Sequence, residues 1–550
     1  MKSDELLDAI GEAKDEYVHD VRNGKVKKMP GWAKWTSAIA ACLVLTLGVS
    51  FFFGGMGGNA GAGGSGHEDG STFMSYAGPV FPLTLREQNT SISADRRTTM
   101  DFEPWVPVWV SNEEEAASRT DLTEAEKQDV LNTYNEWYPE GGRYQTSDNI
   151  IVTDTYTLSN NSTEDQTVSI LYPFASSLND LSMNRPTISV NDEIIDTKLH
   201  AGSYAGTFQG AWENWAETHE NPGSLNLQYI ESWTGYQTLL SDGSYLRRAL
   251  GEYPDLSDIP VIVYTFTDPW GPEEDDDAGI PNPSMRIMFE LDYEKTKVLS
   301  YGFHSASNDR ENGIMGRGFS IREQGERWYD NPYFLIIIGD DVQNMSYQGY
   351  VTGGWDNDDK VEAGVTITRT ESNLETALRE EASLYYVEMT DMQNYVETDP
   401  EYGFEMYYGL LKEQLVAYGI LSDSGVERYD TGWIEDLDVV GVDRVFWLEA
   451  EITIPAGESA TVAATFKKEP SFDFHCANTE NKGISGYDMV TALGSNLRFT
   501  QQTAYLEDRG QIEIVRQNFG FDIENGINEV ALDLAIPHYY LEVRERETED

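Results

Sequence analysis

The chain has 550 residues, 40% hydrophobic and 12% aromatic, enough apolar side chain for several packed cores, which excludes global disorder. It carries 95 acids against 38 bases, a net charge of −57. Residues 1–34 hold equal numbers of each sign, so the whole acidic excess lies beyond them. That field repels nucleic-acid phosphates and anionic headgroups and argues against a nucleic-acid partner, and two cysteines, Cys42 and Cys476, provide no disulfide framework.

The chain opens with a short amphipathic helix. Ser3 is its expected cap, and Asp4 and Glu5 suit the first turn. Leu6, Ile10, Ala13, Tyr17 and Val21 recur at spacings of three and four, which is one apolar stripe. A stretch this short buries too little surface to fold alone. Leu6, Ile10, Tyr17 and Val21 therefore form a candidate contact, within residues 1–21, for a cytoplasmic protein partner, with the membrane surface as the second reading. Arg22, Lys25, Lys27, Lys28 and Lys34 follow, with no acid from Val21 to Lys34.

Next comes "WTSAIAACLVLTLGVSFFFGGM", Trp35–Met56, which is uncharged. About 20 apolar residues cross a hydrocarbon core of about 30 Å, so residues 35–54 are predicted to be one transmembrane helix. The basic flank places residues 1–34 in the cytoplasm and the rest outside the cell. A cleaved signal peptide is the alternative, but its charged region would be shorter and less acidic. The Gly-rich residues 55–72 read as a flexible linker.

"LLDAIGEAKDEYV", the basic Trp-containing stretch and the single membrane segment resemble the N-termini of uncharacterised Gram-positive bacterial membrane proteins. Some of those accompany extracytoplasmic-function sigma factors as anti-sigma-like regulators. The resemblance covers about residues 1–50; "NFGFDIENG" and "HYYLEV" look similar to the outer regions of the same group. It implies a regulatory membrane protein and carries no catalytic activity with it. The chain departs from the zinc-binding anti-sigma pattern, because residues 1–34 contain His19 alone and no Cys.

The outer region reads as mainly β with α additions, an α+β arrangement of β-sandwich-like modules. Residues 73–250 are expected to be β-rich with a helix near 123–138, where Thr123 and Glu126 form a capping box and Val130, Leu131, Tyr134, Trp137 and Tyr138 share a face. "YTLSNNSTEDQTVSILYPF", Tyr156–Phe174, alternates on both sides of a polar run and reads as a hairpin. Asn191-Asp192 marks a tight turn. Residues 251–435 mix strands ("DIPVIVYTFTD", "PSMRIMFELDY", "YFLIIIGDD") with two helices, one marked by Leu374, Ala377, Leu378 and Tyr385 and one by Tyr407, Leu410, Leu411 and Leu415. Residues 436–545 form a β-rich C-terminal module, opening on a second expected hairpin, "VFWLEAEITIPAGESATVAATF".

Few residues suggest chemistry. Asp275, Asp276 and Asp277 in "PEEDDDAG", and Asp356 and Asp358 in "GGWDNDDK", are oxygen-rich candidates for Ca²⁺, although neither spacing follows a calcium loop. A solvated acidic loop is the commoner reading of each. His475 beside Cys476 reads as a core thiol rather than a metal pair. Trp212, Trp215 and Trp233 suggest a sugar platform or a packed face. No nucleophile elbow or phosphate loop is present, so no catalytic or cofactor-binding residue is assigned. The expectation is a single-pass cell-membrane protein, a sensor or regulator with an outer region that binds an unknown ligand. A surface adhesion module on a simple anchor is the alternative, and a wall-active hydrolase the third.

Overall fold

The computed structural model describes residues 78–546 apart from 120–121, 205–252, 276–277, 322–332, 357, 393–402, 418–433, 435–438, 442–443 and 474–480. The expected membrane helix at 35–54, the 55–72 linker and the Leu6/Ile10/Tyr17/Val21 stripe lie outside the described residues. No helix among the described residues is long and apolar enough to cross a membrane. What is described is mainly β with a few helices.

A seven-stranded sheet forms the floor of the larger body. Its strand order is Glu529–Ala531, Arg498–Glu507, Ile92–Asp101, Ile150–Asn160, Ser459–Lys468, Thr187–Val190 and Glu193–Ile194. Ile92–Asp101 and Arg498–Glu507 run parallel, and the other neighbours run antiparallel. Two four-stranded sheets share one face of this floor. One contains Gln166–Ser176 and Arg444–Ile454 at its centre; the other contains Ser485–Val490 and His538–Glu545.

The strand Ile150–Asn160 shows why. Its inward row reads Ile150, Val152, Asp154, Tyr156, Leu158, Asn160, all buried, while the residues between them face outward. Ile150 and Val152 enter the core with Met489, Leu541 and Val543 of one covering sheet. Tyr156 and Leu158 enter the core with Ile170, Tyr172, Phe446 and Leu448 of the other. Asp154 falls on the seam between them.

There it meets Arg96, both side chains being 0% exposed. The guanidinium is bidentate, Nε to Oδ1 at 2.8 Å and Nη2 to Oδ2 at 2.9 Å. Its other hydrogens reach the carbonyls of Val490 (2.7 Å), Thr491 (3.3 Å) and Phe81 (3.3 Å). Asp154 accepts three further hydrogen bonds, from Thr98 Oγ1 (2.8 Å), Tyr156 Oη and Tyr172 Oη (3.4 Å). Burial, with the nearby Asp154 carboxylate, pushes both tyrosine pKa values well up, so the phenols stay neutral donors.

Two expectations are corrected here. The segments Tyr156–Phe174 and Phe446–Phe466 are not hairpins: Ile150–Asn160 and Ser459–Lys468 lie in the floor, whereas Gln166–Ser176 and Arg444–Ile454 lie in a covering sheet. Each polar run carries the chain across the sandwich, and the two crossings stack, each strand pairing with its counterpart. Asn160 Nδ2 donates to the carbonyls of Ile454 (3.0 Å), Pro455 (3.1 Å) and Glu164 (2.8 Å), and Asp165 accepts from Ala456 N at 2.9 Å. Alternation fixes which face a residue takes, but not which strand it pairs with. For the same reason, 436–545 is not a module separate from 73–250, because Ser459–Lys468, Arg498–Glu507 and Glu529–Ala531 lie in the floor with Ile92–Asp101 and Ile150–Asn160, and Arg444–Ile454 lies in a cover with Gln166–Ser176. The expected turn at Asn191-Asp192 is present, both residues having positive φ, 50° and 68°.

The middle of the chain forms a second sandwich. One sheet contains Thr296–Tyr301, Tyr333–Gly339, Pro260–Trp270 and Gly364–Asn373; the other centres on Ile314–Ser320, Ser284–Glu290 and Gln343–Tyr350. Leu335 and Ile337 face the inter-sheet core with Phe266, Ile287 and Phe289. Phe334 and Ile336 face the opposite way, onto the helices Leu374–Met392 and Phe404–Ala417, whose Leu378, Leu410 and Leu411 continue into the core of the larger body. Burial on both faces explains the unbroken apolar run "YFLIII".

Asp154→Ala strands a buried guanidinium and is expected to cost about 3–5 kcal/mol in urea unfolding. Arg97→Ala breaks a pair with Glu529 whose side chains are 46% and 48% exposed and costs about 1 kcal/mol or less. Equal losses from the two variants would contradict the reading of the seam.

Candidate functional site

Between the floor strands Ile92–Asp101 and Ile150–Asn160 the chain leaves the sheet and builds a small lobe. It comprises the two-stranded ribbon Val108–Ser111 with Gly142–Gln145 and the helices Asn112–Ser118 and Glu124–Trp137. Ser111 caps the first helix by accepting from Glu114 N, and the expected Thr123/Glu126 capping box starts the second. Buried Asn112 donates to Asn135 Oδ1 (2.9 Å) and the Tyr138 carbonyl (3.0 Å). Arg143 holds Glu115 with bonds of 2.6 and 2.9 Å and lies 4.5 Å from the Tyr138 ring centre.

Polar bonds of this kind hold the lobe, because little of its apolar surface is covered. On the expected face of Glu124–Trp137 only Tyr134 is fully buried, and Trp137 is 46% exposed. On the ribbon, Trp109 and Tyr144 are direct cross-strand partners with ring centroids 5.1 Å apart at 71°. They stay 42% and 70% exposed, beside Val108 at 59%. Arg143 and Val110, the adjacent pair, point to the opposite ribbon face. Gly142 lies under the Trp109 ring: a Cβ there would come within 2.8 Å of the indole. Glycine thus lets the indole lie against the backbone with its outer face open. The lobe, residues 103–149, contains eleven acids and three bases, two of which, Arg143 and Lys127, are already paired with Glu115 and Glu124.

A second feature is the entry strap, residues 78–85, all buried between the two covering sheets. Gly78 O accepts from Ser471 Oγ at 2.8 Å, and Val80 bridges to Met489 in parallel. Phe81 O accepts from Arg96, and Leu83 N donates to Tyr156 Oη at 2.9 Å. Thr84 and Leu85 then join the other covering sheet. A narrow cleft opens beside the strap, lined by Pro79, Phe81, Phe174, Phe466, Lys468 and Glu469, with a volume of ≈ 360 Å³ that includes its open mouth.

The residues singled out in sequence are not assembled into a site. Asp275 Oδ1 accepts from Ala278 N at 3.0 Å, and its backbone bridges to Ile280, so this carboxylate closes a turn. Asp276 and Asp277 lie outside the described residues. Asp356 and Asp358 flank the undescribed residue 357 in the loop after Trp355, whose indole covers Gly316 and Gly318 and stacks near Arg286. No group of three or more His, Cys, Asp or Glu among the described residues is placed to hold a metal ion. His475, Cys476, Trp212, Trp215 and Trp233 lie outside the described residues.

Sequence reading missed two histidine–carboxylate pairs, His200 with Glu449 and His538 with Asp488, both at 2.7 Å. It also missed Glu381, which stands on the buried stripe of helix Leu374–Met392 and is 7% exposed. Its Oε2 has no hydrogen-bond partner among the described residues, and burial pushes its pKa up to about 9, with the neighbouring Glu380 adding to the rise.

A folded-state pKa above the unfolded value means that Glu381 favours folding below about pH 4.5 and loses that contribution as pH rises toward 9. Melting of Glu381→Gln should therefore match the parent at pH 4.5 and exceed it increasingly up to pH 9; a constant offset would refute the assignment. No family model matches the chain, and neither does any curated protein or solved structure.

Proposed function

We propose that the chain is a membrane-anchored sensor or regulator of a bacterial cell envelope. In this reading its β-rich outer region recognises a ligand or partner, and the Leu6/Ile10/Tyr17/Val21 stripe contacts a cytoplasmic factor. The observation that supports it is the strap. Residues 78–85, which follow the Gly-rich run in sequence, thread straight between the two covering sheets and bond to both. A pull or displacement arriving from an anchor at 35–54 would act on the seam, the part of the fold where both cores meet, rather than on a peripheral loop.

The apolar run and its basic flank supply the anchor and its orientation. The N-terminal resemblance supplies the regulatory reading. An adhesion module is the second reading, favoured by the exposed Trp109/Tyr144 face. No catalytic step is included, since no catalytic motif stands in the sequence.

Protease added to intact cells is expected to remove a C-terminal tag; a protected tag overturns the topology. Deleting residues 1–34 is expected to change transcript levels while surface binding persists. Unchanged transcripts would leave adhesion as the function and refute regulation.

A further inference from the structure

We propose that the Trp109–Tyr144 face of the lobe is a docking surface for a lysine- and arginine-bearing segment of a partner protein. The inference deepens the binding role proposed above and rests on it for its biological setting, but its chemistry stands on the lobe.

Trp109 and Tyr144 meet at 71° with centroids 5.1 Å apart, so the two rings form an open corner rather than a closed stack. Both are exposed, while the lobe's interior is held by Asn112, the Arg143–Glu115 pair and Tyr134. Gly142 keeps the indole flat against the ribbon, which orders a large side chain before any partner arrives and lowers the entropic cost of binding. An ordered aromatic corner attracts a cation through the ring quadrupole and also covers the aliphatic stem of Lys or Arg.

Charge selects the occupant. Exposed Glu113 and Glu114 lie in the first turn of the helix that follows the ribbon, and Glu140 and Asp148 flank its second strand. With eleven acids to three bases, the lobe is denser in negative charge than the chain as a whole. A second copy of this chain, a nucleic acid or an anionic lipid surface would bring like charge to this face. A cationic segment gains from the rings and from the lobe's net negative charge, and the long-range field speeds its arrival.

The test uses the purified full-length protein in detergent and fluorescently labelled deca-lysine and deca-arginine peptides, with a neutral Ser-Gly decapeptide and chito-oligosaccharide as comparisons. The −57 field alone would bind cations loosely everywhere, so the decisive readout is dependence on the two rings. The expected result is cationic binding that weakens about tenfold in Trp109→Ala/Tyr144→Ala, as expected for two cation–π contacts. It should be largely restored by Trp109→Phe with Tyr144 retained, and remain unchanged in Tyr347→Ala, an exposed tyrosine elsewhere (44%). Thermal melts establish that each variant is folded. Equal cation binding by parent and double variant overturns the proposal, as does ring-dependent binding of the oligosaccharide. Because these measurements use isolated protein, they are independent of the cell-based topology and transcript assays, so either proposal can fail without the other.

Discussion

The buried pair of Arg96 and Asp154 is the constraint on which the rest of the larger body depends. A floor of seven strands is too wide for either four-stranded cover, so two covers share it and a line must exist where they meet. Backbone carbonyls at the ends of the covering strands and in the strap face that line. An apolar side chain there would remove the donor they share in a place water does not reach. A guanidinium supplies five donors in a fixed plane, enough for the carboxylate and for the carbonyls of Val490, Thr491 and Phe81 together. The carboxylate in turn takes Thr98, Tyr156 and Tyr172. The network therefore specifies where the covers stop, more than it adds net stability, since desolvation of the pair offsets much of its attraction.

The strap shares this junction. Residues 78–85 contact both covers and lean on Arg96 and Tyr156, so the region preceding them in sequence is joined to the centre of the body. A chain end bonded to one outer strand could fray without disturbing the core; this one cannot leave without exposing an ion pair. That coupling is the physical content of the sensor proposal. The aromatic lobe grows from the same two floor strands, Ile92–Asp101 and Ile150–Asn160, that carry Arg96 and Asp154.

Much of the local structure was legible. Period-two alternation located the long strands, the capping box located the lobe's second helix, and Asn191-Asp192 located a turn. Pairing was not legible, because "NNSTED" and "PAGES" suit a crossing between layers as well as a hairpin. Choosing between them requires knowing that strands about 300 residues apart lie side by side, as Ser159 and Ser459 do. The seam left a faint signal: Asp154 is the lone acid in the inward row of Ile150, Val152, Tyr156, Leu158 and Asn160, and an acid in such a row needs a cation. Nothing local named Arg96 as that cation. The lobe's face was hidden for another reason, since "EPWVPVWV" reads as extended chain whether Trp109 is covered or bare.

Native-state hydrogen exchange on Asp154→Ala tests the central claim most directly. If the ion pair holds strap and covers together, the amides of Val80, Leu83 and Val490 should lose protection together and by similar factors, while those of Ile287 and Leu335 in the second sandwich keep theirs. Loss of protection confined to the floor strands, with the strap unchanged, would contradict the account.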